Sequence, residues 1–153
     1  MDMKTKKALK FLPMIAVMIF IFIFSAMPGD ESSRASGVFL KALVTFAREL
    51  TKNGISEKAM GAMHLIIRKC AHFTEYAALG ASAYYALFEI IKKKIWLFGV
   101  PGLISFLYAC TDEFHQYHVP GRYGTFSDVL IDLSGAVVGI VLFSMVMKKK
   151  GRK

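Results

Sequence analysis

Residues Thr111–Gly135 read TDEFHQYHVPGRYGTFSDVLIDLSG and lie between two strongly apolar runs. Asp112, Glu113, His115, Gln116, Arg122, Asp128 and Asp132 are thereby crowded against sequence suited to lipid. An Asp at the centre of a membrane helix costs about 2.5–3.5 kcal/mol on insertion scales, so a plain connector would not press four carboxylates into the ends of two spans. Ionisable groups in such a position face the interior of a helix bundle or a water-filled cavity and mark a candidate functional site.

The rest of the chain agrees with a membrane setting. Of its 153 residues 55% are hydrophobic, and the mean hydropathy is +0.45, well above that of a soluble domain. A formal charge of +9 would suggest nucleic acid in a soluble protein. Here the charge is concentrated in short clusters beside apolar runs, without interleaved aromatics, so membrane orientation accounts for it and no nucleic-acid partner is expected. The two cysteines, Cys70 and Cys110, lack metal-ligand or C-x-x-C spacing and read as small apolar residues.

An all-α, polytopic architecture follows, a single domain over 1–153 with four spans at about 8–27, 70–91, 95–112 and 128–147. The first apolar run exceeds the core of a secretory signal and has Phe24 where a cleavage site wants a small residue, so it is expected to stay as a span. Pro13 is placed in its first turns, and Pro101-Gly102 predicts a kink near the start of the third span. Residues 36–52 alternate Val38, Phe39, Leu43, Val44, Phe46 and Leu50 with Lys41, Arg48, Glu49 and Lys52 at helical spacing, which predicts an external amphipathic helix. Asn53-Gly54 ends it, and Ser56 followed by Glu57 predicts the N-cap of the next helix, which runs to Ile91.

Basic clusters at Lys4–Lys10, at Lys92–Lys94 and over Lys148–Lys153 fall on one side of this layout, which makes both termini cytoplasmic in a bacterial plasma membrane. The second and fourth spans then enter from outside while the third exits there. Arg68, His72 and Glu75 (i, i+4, i+7), Asp112, Glu113 and Gln116, and Asp128 and Asp132 are thus expected at similar, shallow depth near the outer surface. Residues 128, 132, 135 and 139 share one face, on which Gly135 and Gly139 form a small-xxx-small pair for close helix approach. The apolar inner halves argue against an ion pathway within one chain.

The ordered motifs Arg68-Lys69-x-x-His72-Phe73-x-Glu75-Tyr76, Asp112-Glu113-x-His115-Gln116, Pro120-Gly121-Arg122 and Asp128-x-x-x-Asp132-x-x-Gly135, with the turn Ser25-Ala26-Met27-Pro28-Gly29, resemble the VanZ-like family of bacterial membrane proteins over roughly residues 20–147. The family takes its name from a protein linked to resistance to the lipoglycopeptide teicoplanin, and some members are associated with tolerance to other envelope-active antibiotics. It carries Asn or Asp at the position of Asp132 and usually an apolar residue at that of His118. The resemblance implies a role in antibiotic resistance or envelope protection.

From the residues, the candidate ligand-binding set is Arg68, Lys69, His72, Glu75, Tyr76, Asp112, Glu113, His115, Gln116, Arg122, Asp128 and Asp132. Their cations suit an anionic amphiphile: a lipid-linked cell-wall intermediate, an anionic phospholipid, or the lipid-tailed antibiotic itself. His72, Glu75, Glu113 and His115 are the candidates for acid–base chemistry in an enzymatic alternative, in which Arg122 holds the anion. Internal pairing, including Arg122 with Asp128, would make the same groups an ionic lock in a structural accessory subunit. Two histidines on separate segments have no dedicated metal spacing, so no metal and no cofactor is expected.

Overall fold

The computed structural model describes residues 2–29, 45 and 56–149. The expected amphipathic helix at 36–52 and the basic residues 150–153 lie outside the described residues. All regular structure among the described residues is helical: α1 (Met3–Leu9), α2 (Leu12–Ser25), α3 (Glu57–Leu87), α4 (Lys94–Tyr117) and α5 (Phe126–Lys149). Three stretches are long and apolar enough to cross a membrane, Thr5–Ser25, Lys94–Tyr117 and Phe126–Lys148, as befits a multi-pass membrane protein.

The expected second span falls within α3, which is less apolar than the other three. It is not among the three stretches apolar enough to cross. α3 packs along α5 and also touches α2 and α4, and its buried residues lie in its second half, from Tyr76 to Ala86. Its start is as the sequence predicts: Ser56 Oγ accepts from the Ala59 backbone N–H at 3.3 Å, and Glu57 sits in the first turn. It stops at Leu87, short of the predicted Ile91, where the amides of Ile90 and Ile91 turn back onto the Leu87 carbonyl.

One further boundary agrees with expectation and one differs. The helix starting at Met3 breaks after Leu9, and α2 opens at Leu12 with Pro13 in its first turn, as the sequence predicts. Proline has no N–H for the Leu9 carbonyl, and the chain tightens just before it through i→i−3 bonds from Lys10 to Lys7 and from Phe11 to Ala8. The third span does not end at residue 112. α4 continues to Tyr117, so Asp112, Glu113 and Gln116 occupy its last turns and only residues 118–125 form the connector. Pro120 disfavours helical backbone at Val119, and Gly121, at φ 74°, takes the left-handed conformation that reverses the chain. Thr125 then caps α5, its Oγ1 accepting from the Asp128 amide at 3.3 Å.

α3 and α5 run parallel at backbone contact. A Cβ added at Gly135 would fall on the Phe73 carbonyl, one at Gly139 on that of Ala77, and one at Gly80 on that of Ala136. Lipid supplies no hydrophobic drive between helices, so this closeness, with its van der Waals contact, is what holds the pair together. Ile21, Tyr76, Leu79, Ala109, Val129 and Ala136 form one core, and Tyr84, Leu97 and Ile140 a second. Outward, α2 shows Leu12, Ile15, Ile19 and Phe22, and α5 shows Leu130, Val137, Val141 and Leu142. Large apolar side chains point out and carboxylates point in, the pattern required where the surrounding solvent is hydrocarbon.

The two ends of the bundle are chemically distinct. At one, Lys10 pairs with Glu89 at 2.5 Å and lies over the Tyr85 ring, while Met147 packs against the second core. The Lys10 hydrogen bond and charge hold the exposed Glu89 carboxyl below the usual carboxylate range. The N-terminal helix, the α3–α4 turn and the end of α5 therefore share this end, as the distribution of basic clusters predicts. The polar cluster lies at the other.

Candidate functional site

The parallel pairing of α3 with α5 brings position 68 alongside 128 and 72 alongside 132. Arg68 Nη2 lies 3.4 Å from Asp128 Oδ2, Lys69 Nζ lies 3.2 Å from Asp128 Oδ1, and His72 Nδ1 lies 3.6 Å from Asp132 Oδ1. Glu75, one turn further along α3, is within electrostatic reach of His72, Asp112 and Asp132. The last turns of α4 add Asp112, Glu113 and Gln116, all buried. Gln116 Nε2 donates to Asp112 Oδ2 at 3.0 Å, as the i, i+4 spacing permits, and the Thr125 backbone N–H donates to Glu113 Oε2 at 2.9 Å.

Arg122 does something the sequence does not reveal. It is 7% exposed, and it is not paired with Asp128 as a surface cation would be. Its Nη1 donates to Gln116 Oε1 at 3.2 Å, its Nε to the Met27 carbonyl at 2.9 Å, and its Nη2 to the Phe24 carbonyl at 2.6 Å. Phe24 is in the last turn of α2 and Met27 lies just past its end, where carbonyls lack the i+4 amide of a continuing helix. The guanidinium thus caps the first span and ties it to the α4–α5 connector. Burial first, and then the nearby Arg68 charge, pull it below its ordinary arginine value. The Gly29 amide donates to the Pro120 carbonyl at 3.1 Å across the same contact, and a Cβ on Gly29 would strike the Gly121 carbonyl. This explains why the Met27-Pro28-Gly29 and Pro120-Gly121-Arg122 motifs occur together.

One expected member, His115, stands apart. The His115 ring stacks on Phe22 of α2, with centroids 5.1 Å apart, so it joins the first span and not the carboxylates. His118, outside the candidate set, is exposed, with Nδ1 2.9 Å from the Phe114 carbonyl at the α4 end. Thr125, Phe24 and Met27 were not legible as participants, because all three take part through backbone atoms. The turn around Pro28 was the one hint.

Sequence spacing offers no metal site, since the relevant groups come from three helices. In the fold, one atom each from His72, Asp112, Glu113 and Asp132 lie within 4.8 Å of one another, a set that could hold a metal ion. Outside this cluster, a groove of about 360 Å³ runs over the face shared by α3 and α5. Ile66, Lys69, Cys70, Phe73, Thr74 and Ile131 line it.

Residues 10–147 match the model of the VanZ/LLP1 family. The chain belongs to the VanZ/LLP1 family. No curated protein and no solved structure matches it. The VanZ/LLP1 match runs from the base of the first span to the end of α5 and takes in every polar group described above. The cluster at the motif-bearing end is therefore part of the VanZ/LLP1 region and not of an appended segment.

Proposed function

We propose that this VanZ/LLP1 membrane protein contributes to resistance against teicoplanin-type lipoglycopeptides, or to protection of the envelope more broadly, by binding an anionic amphiphile at the motif-bearing end of the bundle. In this reading α3 is a fourth span, that end faces outward from the bacterial plasma membrane, and both termini are cytoplasmic. The observation that carries it is the groove between α3 and α5. An apolar lining of Ile66, Phe73 and Ile131 suits an acyl or prenyl chain, and Lys69 stands where a phosphate or carboxylate headgroup would lie. Arg68 and Lys69 share the single carboxylate of Asp128, which leaves one net positive charge beside the groove. Both cations remain about one-third exposed, so an anion could reach them.

A structural lock is the second reading, and Arg122 favours it: its hydrogen bonds bind three segments of the chain to each other. The two readings divide the residues. Arg122 and Gln116 fasten the bundle, while Arg68, Lys69 and the groove take the ligand. Lys69→Glu tests the division. At equal accumulation in the membrane, cells carrying this variant should lose protection against teicoplanin. Native mass spectrometry of the variant should show lost preference for phosphatidylglycerol or undecaprenyl phosphate over phosphatidylcholine. Wild-type protection by Lys69→Glu, together with no anionic-lipid preference in the parent, would sink the reading.

A further inference from the structure

We propose that His72, Asp112, Glu113 and Asp132 form a buried binding site for one divalent first-row transition-metal ion, Mn²⁺ or Zn²⁺. The four donors come from three helices, and their atoms lie within 4.8 Å of one another. Atoms at that greatest mutual spacing would surround a point about 2.9 Å from each, against roughly 2.0–2.2 Å for zinc bound by His and carboxylate, so each ligand need move inward by less than about 1 Å. One imidazole and three carboxylates suit a borderline ion, the nitrogen favouring a transition metal and the oxygens manganese.

The need for a cation shows in the polar atoms around the site. Asp132 is fully buried, and among the described residues neither of its oxygens has a hydrogen bond, with His72 Nδ1 3.6 Å from Oδ1. Glu113 Oε1 is buried and equally without one. The Tyr76 hydroxyl, on a fully buried side chain outside the four ligands, has no hydrogen-bond partner among the described residues, and Asp112, Asp132 and Glu113 are within its electrostatic reach. It stands where it could bond a metal-bound water. Buried polar groups of this kind are nearly always satisfied in folded proteins, so four such atoms at one place call for a missing partner. Among the described residues the cations nearby are engaged elsewhere: Arg68 and Lys69 with Asp128, and Arg122 with Gln116 and two backbone carbonyls. His72 is the cluster's own possible cation, and three carboxylates exceed it.

The supporting contacts have the form that metal ligands require. Gln116 holds one oxygen of Asp112 and the Thr125 amide holds one oxygen of Glu113, fixing each carboxylate by its outer side. A dication with three carboxylates and neutral His72 carries one negative charge. Arg122, set one residue back behind Gln116, offsets it. The site is distinct from the lipid-facing groove and does not depend on the amphiphile reading.

The test uses the full chain purified in detergent without a polyhistidine tag. After exposure to Mn²⁺ or Zn²⁺ alone and desalting, metal content by mass spectrometry and a Mn²⁺ titration followed by electron paramagnetic resonance should show one saturable equivalent. Mg²⁺ and Ca²⁺ should compete weakly. Asp132→Asn and Glu113→Gln should each lower affinity by about 10–100-fold, whereas Val138→Leu, exposed on the outer face of α5, should not change it. A chelator should lower the thermal midpoint of the loaded parent. If Asp132→Asn does not fold, Glu113→Gln, which keeps an acceptor for Thr125, decides the case. No saturable binding by the parent, or binding by folded Glu113→Gln equal to the parent's, overturns the proposal.

Discussion

Replacing Arg122 with alanine should loosen the first span from the bundle, and the size of the effect follows from its contacts. The side chain makes three hydrogen bonds, at 2.6, 2.9 and 3.2 Å, to the carbonyls of Phe24 and Met27 and to Gln116. Bonds with a charged partner contribute about 1.5–3 kcal/mol each. Simple addition would overstate the loss, because the Phe24 and Met27 carbonyls lie at and just past the end of α2, where water or lipid headgroups can replace part of what is removed. Gln116 has no such recourse. It is 2% exposed, and its carbonyl oxygen would be left facing a small cavity. A total of about 3–4 kcal/mol is expected for Arg122→Ala. Arg122→Lys should recover about a third, since an ammonium has no planar fork to reach three acceptors at once. Unfolding of the purified protein in a detergent–SDS titration, followed by circular dichroism, would measure both. Proteolysis within residues 26–29 should rise in the alanine variant. A change below about 0.5 kcal/mol, the usual range for an ordinary surface substitution, would refute the role of Arg122 as the cap that binds the first span.

Gly139→Leu should be more disruptive than any change on the lipid face of α5, because its Cβ would land on the backbone of Ala77, which cannot swing aside. A loss of about 1–3 kcal/mol or more is expected in the same titration, with Val138→Leu, exposed on the lipid side, near neutral. The Lys10–Glu89 pair predicts a pH dependence at the other end. The folded carboxyl sits below its unfolded value, so its contribution is present above the unfolded carboxylate range and fades as pH falls through the folded one. The thermal midpoints of the parent and Glu89→Gln should therefore differ more at pH 7 than at pH 3. A gap that widens on acidification would contradict the pairing.

Much of this molecule is set by local rules. The Ser56 cap, the apolar runs and the faces shared by 68, 72 and 75 and by 128, 132, 135 and 139 follow from helical periodicity, which needs no knowledge of the fold. That α3 and α5 should run parallel, and so bring those faces together at one end, follows from counting crossings. Tertiary packing decided which groups actually meet. Periodicity does not specify the axial offset between two helices. A shift of one turn, about 5.4 Å, exchanges one set of partners for another. That offset is fixed here by glycines 80, 135 and 139 pressed against facing carbonyls. It gives Asp128 to Arg68 and Lys69, and Asp132 to His72. The helical continuation of α4 through Asp112 and Glu113, the stacking of His115 on Phe22, and the reach of Arg122 back to the end of the first span are likewise consequences of packing. Each joins residues distant in the chain, some of them through backbone atoms that carry no side-chain signature.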